Sequence, residues 1–450
     1  MRIELSVPLS TSEIIEATGA KSRDVNERII THISTDSREV MTDDLFVAIK
    51  GNNFDGEDYV DTALNRGATP LSTQIKEGVI VVSDTRAALL SLASYYIKKL
   101  PYIIYKIAIT GSVGKTTTKE FLKVLLSEKY KTHASVGNLN NEIGMPLSVL
   151  SAPKDSELII CEMGMNQTGE ISKMAKSFEP NIALITNVGT AHIGNLGSRE
   201  NIARAKLEVL DGMKKGVLIV PSGEPLLRTS SPKCTFSIDD KSADFHLSNE
   251  DGDIVFYKNN TRVFARKFAF SDEHLLYCLC AAISISVLCN LDGEHLNRGI
   301  SRISCENIRQ KIISRQNIDF FVDCYNASEE SVHAALKSIS ALSGYTKKSA
   351  ILGDILELGK HSRNIHYRIG ERICDYNLRR LYLFGKESAF IRDGAIKGGF
   401  PLENIFYNSD ATRPDITALQ IKENSASGEI ILLKGSRGMR LERILNLFDE

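Results

Sequence analysis

Residues 107–119, Ile107-Ala-Ile-Thr-Gly-Ser-Val-Gly-Lys-Thr-Thr-Thr-Lys119, run from an apolar strand through two glycines into the amphipathic stretch Glu120–Leu126. A strand, a glycine loop and a helix in that order form the first half of a βαβ unit, so the next strand lies parallel to the first. The first amides of such a helix have no intrahelical partner and carry the positive end of its dipole, which suits them to phosphate oxygens. Gly111 and Gly114 let the backbone curl around the phosphate, and Ser112, Val113 and Thr117 complete the loop and the helix start. Lys115 can reach terminal phosphates and the Thr116 hydroxyl can hold magnesium. The strict pattern G-x-x-x-x-G-K-[ST] is not met, because Ile109 stands where the first glycine belongs; the loop is a shortened G-x-x-G-K-T. The expected ligand is a nucleoside triphosphate. Thr186-Asn187-Val188-Gly189 lacks the Lys and Asp of a guanine-reading N-K-x-D element, so a regulatory GTPase is not expected.

The surrounding pattern predicts α/β architecture in three domains. Residues 1–100 mix short strand-like runs (Leu45–Ile49, Val79–Val82) with a helix over Thr85–Lys99. From Tyr102, apolar runs at Ile107–Ile109, Leu158–Cys161 and Ile182–Ile185 alternate with longer amphipathic stretches, the signature of a parallel sheet covered by helices. Residues near 217–270 read as more antiparallel, with hairpin punctuation at Glu250-Asp251-Gly252 and Asn259-Asn260. Strands are then predicted at Phe320–Val322, Ala350–Leu352, Leu381–Phe384 and Ile430–Leu433. With joints near 100 and 308, the chain divides into a small α/β domain (1–100), a central phosphate-loop domain with a parallel sheet (101–308) and a Rossmann-like α/β domain (309–450).

Composition narrows the partners. Lys+Arg is 55 and Asp+Glu 56, a net charge of -1, so a nucleic-acid partner is not expected. The N-terminus lacks a basic segment followed by an apolar run, which argues against a secretory signal. The densest apolar stretch, Leu275 to Leu291, is broken by Ser284 and Ser286 and falls short of a span of about 20 residues. The expectation is a cytoplasmic monomer with no membrane insertion. The eight cysteines contain no C-x-x-C and sit in apolar segments, as reduced cysteines do, and the nine histidines form no zinc-like spacing with them.

In open parallel sheets, ligands bind beyond the carboxyl ends of the strands. Leu158–Cys161 ends there in Glu162, and Ile182–Ile185 leads through Thr186-Asn187 to His192. A carboxylate, an imidazole and the Thr116 hydroxyl could share two magnesium ions with nucleotide phosphates. In Ser198–Leu210, Lys206 lies on the apolar stripe of Ile202, Val209 and Leu210. Such a lysine ordinarily snorkels to water; otherwise it meets a carboxylate or is held neutral, and a neutral amine reacts with carbon dioxide to give an anionic carbamate. The last domain repeats the placement: Asp323-Cys-Tyr-Asn326 follows Val322, Gly353-Asp354 follows Leu352, and Lys434-Gly-Ser-Arg437 follows Leu433. Two polar sheet edges facing one another predict a cleft that closes on a nucleotide and a second substrate.

These motifs resemble the Mur ligase family, the ATP-dependent amide ligases of peptidoglycan precursor synthesis. Thr35-Asp-Ser-Arg38, Asp44-Leu-Phe-Val-Ala48 and Asn53-Phe-Asp-Gly56 resemble its UDP-sugar domain, and Gly111–Thr118 its ATP loop. Gly137-Asn-Leu-Asn-Asn-Glu-Ile-Gly-Met-Pro146 and Glu162-Met-Gly-Met resemble the stretch that follows. Ala191-His192 and Ala205-Lys206-x-Glu208 are similar to its metal-binding histidine and frequently carbamylated lysine. The C-terminal motifs are most similar to the branch that joins D-alanyl-D-alanine to UDP-N-acetylmuramoyl-tripeptide.

The resemblance implies that ATP phosphorylates a carboxylate and that an amine attacks the acyl phosphate. It implies catalytic roles for Lys115, Lys206 and His192, and metal contacts from Thr116, Glu162, His192 and Lys206. Nucleotide contacts would come from residues 111–117, Arg309, Asp323 and Asn326, and substrate contacts from Ser37, Arg38, Asn138, Asn140, Lys434 and Arg437. Three departures stand out. His274-Leu-Leu-Tyr-Cys278 replaces the family's H-N-x-x-N, Asp55-Gly-Glu-Asp-Tyr59 replaces D-G-H-D-F, and Tyr325-Asn-Ala-Ser-Glu329 replaces Y-N-A-N-P. They leave open a paralogue that ligates another acid and amine, or a nucleotide binder without catalysis.

Overall fold

The computed structural model describes residues 1–21, 25–51, 54–227, 229, 233–250, 253–267, 272–303 and 311–448. Its strands form three sheets, of five, nine and six strands, each mostly parallel.

The first sheet has the order β1 (Arg2–Ser10), β2 (Ile29–Ser34), β3 (Asp44–Val47), β4 (Thr69–Ser72), β5 (Ile80–Val81). Only β1 and β2 pair antiparallel. Helices α1 (Thr11–Thr18), α2 (Val60–Asn65) and α3 (Thr85–Lys99) accompany it. The bounds of α3 match the predicted ones for a local reason: Asp84 accepts from the amides of Arg86 and Ala87, and Lys98 and Lys99 lie at the negative end of the dipole. The buried Tyr96 of α3 ties this unit to the next, its hydroxyl accepting from Val7 N at 3.2 Å and donating to Ala152 O at 3.1 Å.

The central unit runs β6 (Tyr105–Thr110), α4 (Lys115–Leu126), β7 (Thr132–Ala134), α5 (Gly144–Leu150), β8 (Leu158–Glu162), α6 (Glu170–Phe178), β9 (Ile182–Ile185), α7 (Ile193–Leu196) and α8 (Arg199–Leu207). It continues through β10 (Val217–Pro221), β11 (Lys233–Ser237), β12 (Phe245–Glu250), β13 (Asp253–Lys258), β14 (Thr261–Lys267), α9 (Glu273–Leu288) and α10 (Gly293–Arg302). In the sheet, β6 lies between β8 and β9, so successive connections leave it on opposite sides and a crevice opens at its carboxyl end. Strands β6, β8, β9, β10 and β11 are parallel, and the antiparallel part is confined to β12–β14, narrower than the patterning of 217–270 predicts. The hairpin at Asn259 and Asn260 is present, both residues in the left-handed conformation that a two-residue turn needs. The Asp251-Gly252 punctuation lies outside the described residues. The apolar stretch 275–291 is largely α9, buried on nearly every face, and among the described residues no helix is long and apolar enough to cross a membrane.

The third sheet has the order β15 (Lys311–Arg315), β16 (Ile318–Asp323), β20 (Glu429–Lys434), β17 (Lys348–Gly353), β18 (Arg380–Phe384), β19 (Ile405–Asn408), with β15 alone antiparallel. Helices α11 (Glu329–Ala341), α12 (Ser362–Glu371), α13 (Ser388–Lys397), α14 (Pro414–Asn424) and α15 (Glu442–Asn446) complete it. Central strands such as β8 and β20 are buried throughout, as their unbroken Leu and Ile runs require. Each such side chain contributes roughly 1.5–3 kcal/mol, a rigid base for the polar residues at the strand ends.

Candidate active site at the junction of two sheets

The loop between β6 and α4 is shaped by glycines in left-handed backbone. Gly111 has φ 147° and Gly114 φ 84°, and a Cβ on Gly111 would collide with Thr186 Oγ1. A Cβ on Gly114 would stand 3.0 Å from Cys278 Sγ and 3.4 Å from His274 Cε1 on α9. The loop is braced from the end of β9: Asn187 Oδ1 accepts from Ser112 N (3.0 Å) and Val113 N (2.9 Å), and Thr186 Oγ1 donates to Val113 O (2.6 Å). Lys115 Nζ donates to Gly111 O at 2.7 Å.

The Thr116 hydroxyl donates to Glu162 Oε2 at 2.6 Å, and Asn140 Nδ2 donates to Glu162 Oε1 at 2.9 Å. Glu162 is thus a buried carboxylate set against the phosphate loop, as the strand-end reasoning predicts. Thr116 and Glu162 supply hard oxygens of the kind that hold Mg²⁺, whose remaining ligands come from phosphates and water. Among the described residues no cluster of three His, Cys, Asp or Glu side chains could by itself hold a cation.

Lys206 does not snorkel. It is 2% exposed, beside the buried Ile202 and Val209, and among the described residues no hydrogen bond or ion pair holds its amine. Desolvation pushes its pKa well below the ordinary lysine value, Lys115 pushes the same way, and Glu330 opposes them. After Lys206, α8 gives way to a tight turn at Glu208–Gly212, where Glu208 accepts from Gly169 N, just before α6, and from Ser172 N on α6.

Residues of the third sheet meet these groups. A cavity of about 280 Å³ is lined by Ser112 to Thr117, Asn140, Glu162, His192, His274 and Leu275 from the central unit and by Asp323, Asn326 and Lys434 from the third. Lys434, 2% exposed, pairs with Asp323 at 3.1 Å and donates to Asn326 O at 2.6 Å. Arg437 lines a smaller adjoining cavity with His192 and Asn326. Asp354 turns away, its carboxylate accepting from Ser388 N, and burial raises its pKa. Asn138 is exposed on the loop before Asn140. Ser37 and Arg38 lie on the first unit outside the cavity lining. There the Arg38 guanidinium pairs with Asp36 and holds that carboxyl far below the usual carboxylate range. Arg309 and the joint near 308 lie outside the described residues.

Four more residues contribute in roles that the sequence does not assign to them. Asn187 braces the loop. His274, its pKa raised to about 9 chiefly by electrostatic attraction to the Cys278 sulfur, faces the cavity where the motif departs from the family's. Glu330 reaches across from α11 to accept from Thr190 N (2.8 Å) and Thr190 Oγ1 (3.0 Å). Glu357 accepts from His192 Nδ1 at 2.7 Å, a bond that lowers the pKa of the glutamate.

Comparison with known proteins agrees with this arrangement. Residues 29–96 match the Mur ligase family catalytic domain, 109–286 the Mur ligase middle domain and 308–437 the Mur ligase glutamate ligase domain. The UDP-N-acetylmuramoyl-tripeptide–D-alanyl-D-alanine ligase of Bacillus subtilis is 34% identical, covering 96% of this chain and 96% of its own. The enzyme of that name from Rickettsia prowazekii is 32% identical, over 92% of this chain and 94% of its own. Among solved structures, MurF from Acinetobacter baumannii superposes with a TM-score of 0.87 at 26% identity, covering all of both chains. MurF from Thermotoga maritima, in complex with ADP, gives 0.79 at 27% identity over 93% of this chain and 96% of the other. With its motifs, its three sheets and full-length relatives in agreement, the chain belongs to the Mur ligase family.

Proposed function

We propose that this protein is an ATP-dependent ligase that joins D-alanyl-D-alanine to UDP-N-acetylmuramoyl-tripeptide in peptidoglycan precursor synthesis. The observation that carries the reading is the shared cavity: the phosphate loop, the Thr116–Glu162 pair and His192 on one side, and Asp323, Asn326 and Lys434 on the other. Full-length similarity to enzymes of that name supports it over ligation of another acid and amine, and Lys115, Thr116, Glu162, His192 and Lys206 together support it over nucleotide binding without catalysis, because a binder would not need the second metal site.

In this reading the tripeptide carboxylate attacks the γ-phosphorus of ATP, the bond to the β-phosphate oxygen breaks and ADP leaves. The dipeptide amine then attacks the acyl carbon, the bond to the phosphate oxygen breaks, and the amine proton is lost with phosphate. Residues 111–117 cradle the phosphates, and Lys115 places positive charge on the transferred group. Arg309, Asp323 and Asn326 contact the nucleotide, and Ser37, Arg38, Asn138 and Asn140 the UDP-linked substrate. Lys434 and Arg437 present positive charge to the dipeptide carboxylate. Two Mg²⁺ ions, held by Thr116, Glu162, His192 and a carbamate on Lys206, would neutralise phosphate charge. The carbamate is supported by the buried amine, since only an unprotonated lysine adds carbon dioxide. The domains are proposed at 1–100, 101–308 and 309–450, in a cytoplasmic monomer.

The test is phosphate release from ATP and Mg²⁺ with UDP-N-acetylmuramoyl-tripeptide, with and without D-alanyl-D-alanine, with mass spectrometry of the product. Release that needs both substrates and yields the pentapeptide mass is expected. ATP binding without turnover on this pair would reject the assignment in favour of another acid and amine.

A further inference from the structure

The loop that brings His192 into the cleft is gripped from the opposite domain. Besides the 2.7 Å bond from His192 Nδ1 to the Glu357 carboxylate, Gly194 N donates to the Glu357 carbonyl at 3.0 Å. A Cβ on Gly194 would collide with that carbonyl and stand 2.8 Å from Gly359 N, so only glycine permits the approach. His192 and Glu357 each have φ 63°, left-handed backbone at two non-glycine residues that face each other across a domain boundary. Such conformations persist where surrounding structure fixes them, and they gather at functional sites. The pair also walls the smaller cavity of about 100 Å³ with Asn326 and Arg437.

A carboxylate can only accept, so His192 Nδ1 carries the proton in this bond, which leaves Nε2 as the ring nitrogen turned to another partner. That is the arrangement in which a histidine offers one nitrogen to a cation while a carboxylate holds the other. We propose that Glu357 is the positioning residue for His192: it fixes the tautomer and direction of the imidazole from the neighbouring domain, so the central-domain metal ligand is complete only when the two domains are apposed as here. This rests on the reading of His192 as a ligand for a divalent cation in the ligase site. It adds that the ligand is set by a residue of the dipeptide-binding domain.

The test uses the full-length protein with Mn²⁺ and a non-hydrolysable ATP analogue, free Mn²⁺ being followed by electron paramagnetic resonance. Glu357→Gly keeps the left-handed backbone and removes the carboxylate, whereas Glu357→Gln keeps an oxygen that accepts from Nδ1. The glycine variant is expected to weaken Mn²⁺ binding about 10–100-fold and to raise the Mg²⁺ concentration for half-maximal activity by a similar factor. KM for ATP should move less than about 3-fold, because no phosphate contact is lost, and glutamine should recover part of the loss. His192→Ala should remove the same Mn²⁺ site, and adding Glu357→Gly to it should change nothing further, the signature of one linked pair. Equal Mn²⁺ affinity in wild type and Glu357→Gly, or additive losses in the double variant, would overturn the proposal. The Mn²⁺ titration needs no turnover, so failure of this pairing and failure of the ligase assignment are told apart.

Discussion

Replacing Lys206 with methionine sets what burial costs this chain against what the lysine does for chemistry. Methionine keeps the unbranched shape and removes the amine, which is 2% exposed and, among the described residues, without a hydrogen-bond partner. Burial forces this amine to give up its proton, and replacing buried ionisable groups by apolar side chains of similar volume stabilises by about 1–4 kcal/mol. At about 2–4 °C per kcal/mol for a domain of this size, a mid-range gain of ~2 kcal/mol raises the melting temperature by about 4–8 °C. The pH dependence follows from the depressed pKa. Between the folded-state value and the ordinary 10.5, the unfolded chain binds a proton that the folded chain has released, so wild-type stability rises with pH. Methionine has no such dependence, so the advantage of the variant is largest near neutrality and closes as pH approaches 10.5. Calorimetry at several pH values in carbon-dioxide-free buffer reads this directly, since the buffer keeps the amine unmodified. Equal melting temperatures at pH 7, or a gap indifferent to pH, would show that the amine is solvated and that its burial costs the fold nothing. The stabilised variant should lose ligase activity by at least about 100-fold, and Lys206→Ala should regain part of it with a short carboxylate.

Three further outcomes are expected. Glu162→Gln leaves an amide facing the Thr116 hydroxyl and removes the negative charge, so kcat should fall about 100-fold or more with a matching loss of Mg²⁺ response in steady-state kinetics. Gly114→Ala forces a Cβ into left-handed backbone and against the Cys278 sulfur, so ATP affinity measured by calorimetry should fall. Pairing it with Cys278→Ala should recover only the contact part; full recovery would show that the backbone bears no strain. Tyr96→Phe removes the hydroxyl between Val7 N and Ala152 O and should cost about 1 kcal/mol in chemical denaturation, with kcat unchanged.

What could be read in the sequence were features written in consecutive residues. The phosphate loop, α3, β9 and the Asn259-Asn260 hairpin follow from local periodicity, caps and turn chemistry, and the structure places them as predicted. Glu162 and His192 were accessible because parallel strands end on one edge. The fate of Lys206 was not, since its stripe is compatible with snorkelling and only the packing of the folded unit buries it. Glu330 and Glu357 lie 140 and 165 positions from the residues they hold. No period or motif encodes such a pairing; it exists only once two sheets are apposed.

The clasp of Asn187 on the phosphate loop turns nucleotide recognition into a competition. A phosphate oxygen that draws on the amides of Ser112 and Val113 must evict Oδ1 of Asn187, which already satisfies both. For a neutral acceptor the exchange is one amide oxygen for another, with nothing gained to hold it. An anionic oxygen forms charge-assisted bonds roughly twice as strong and wins the same two donors. The incumbent asparagine keeps the nest folded for use, and a charged oxygen is the better competitor for its two donors.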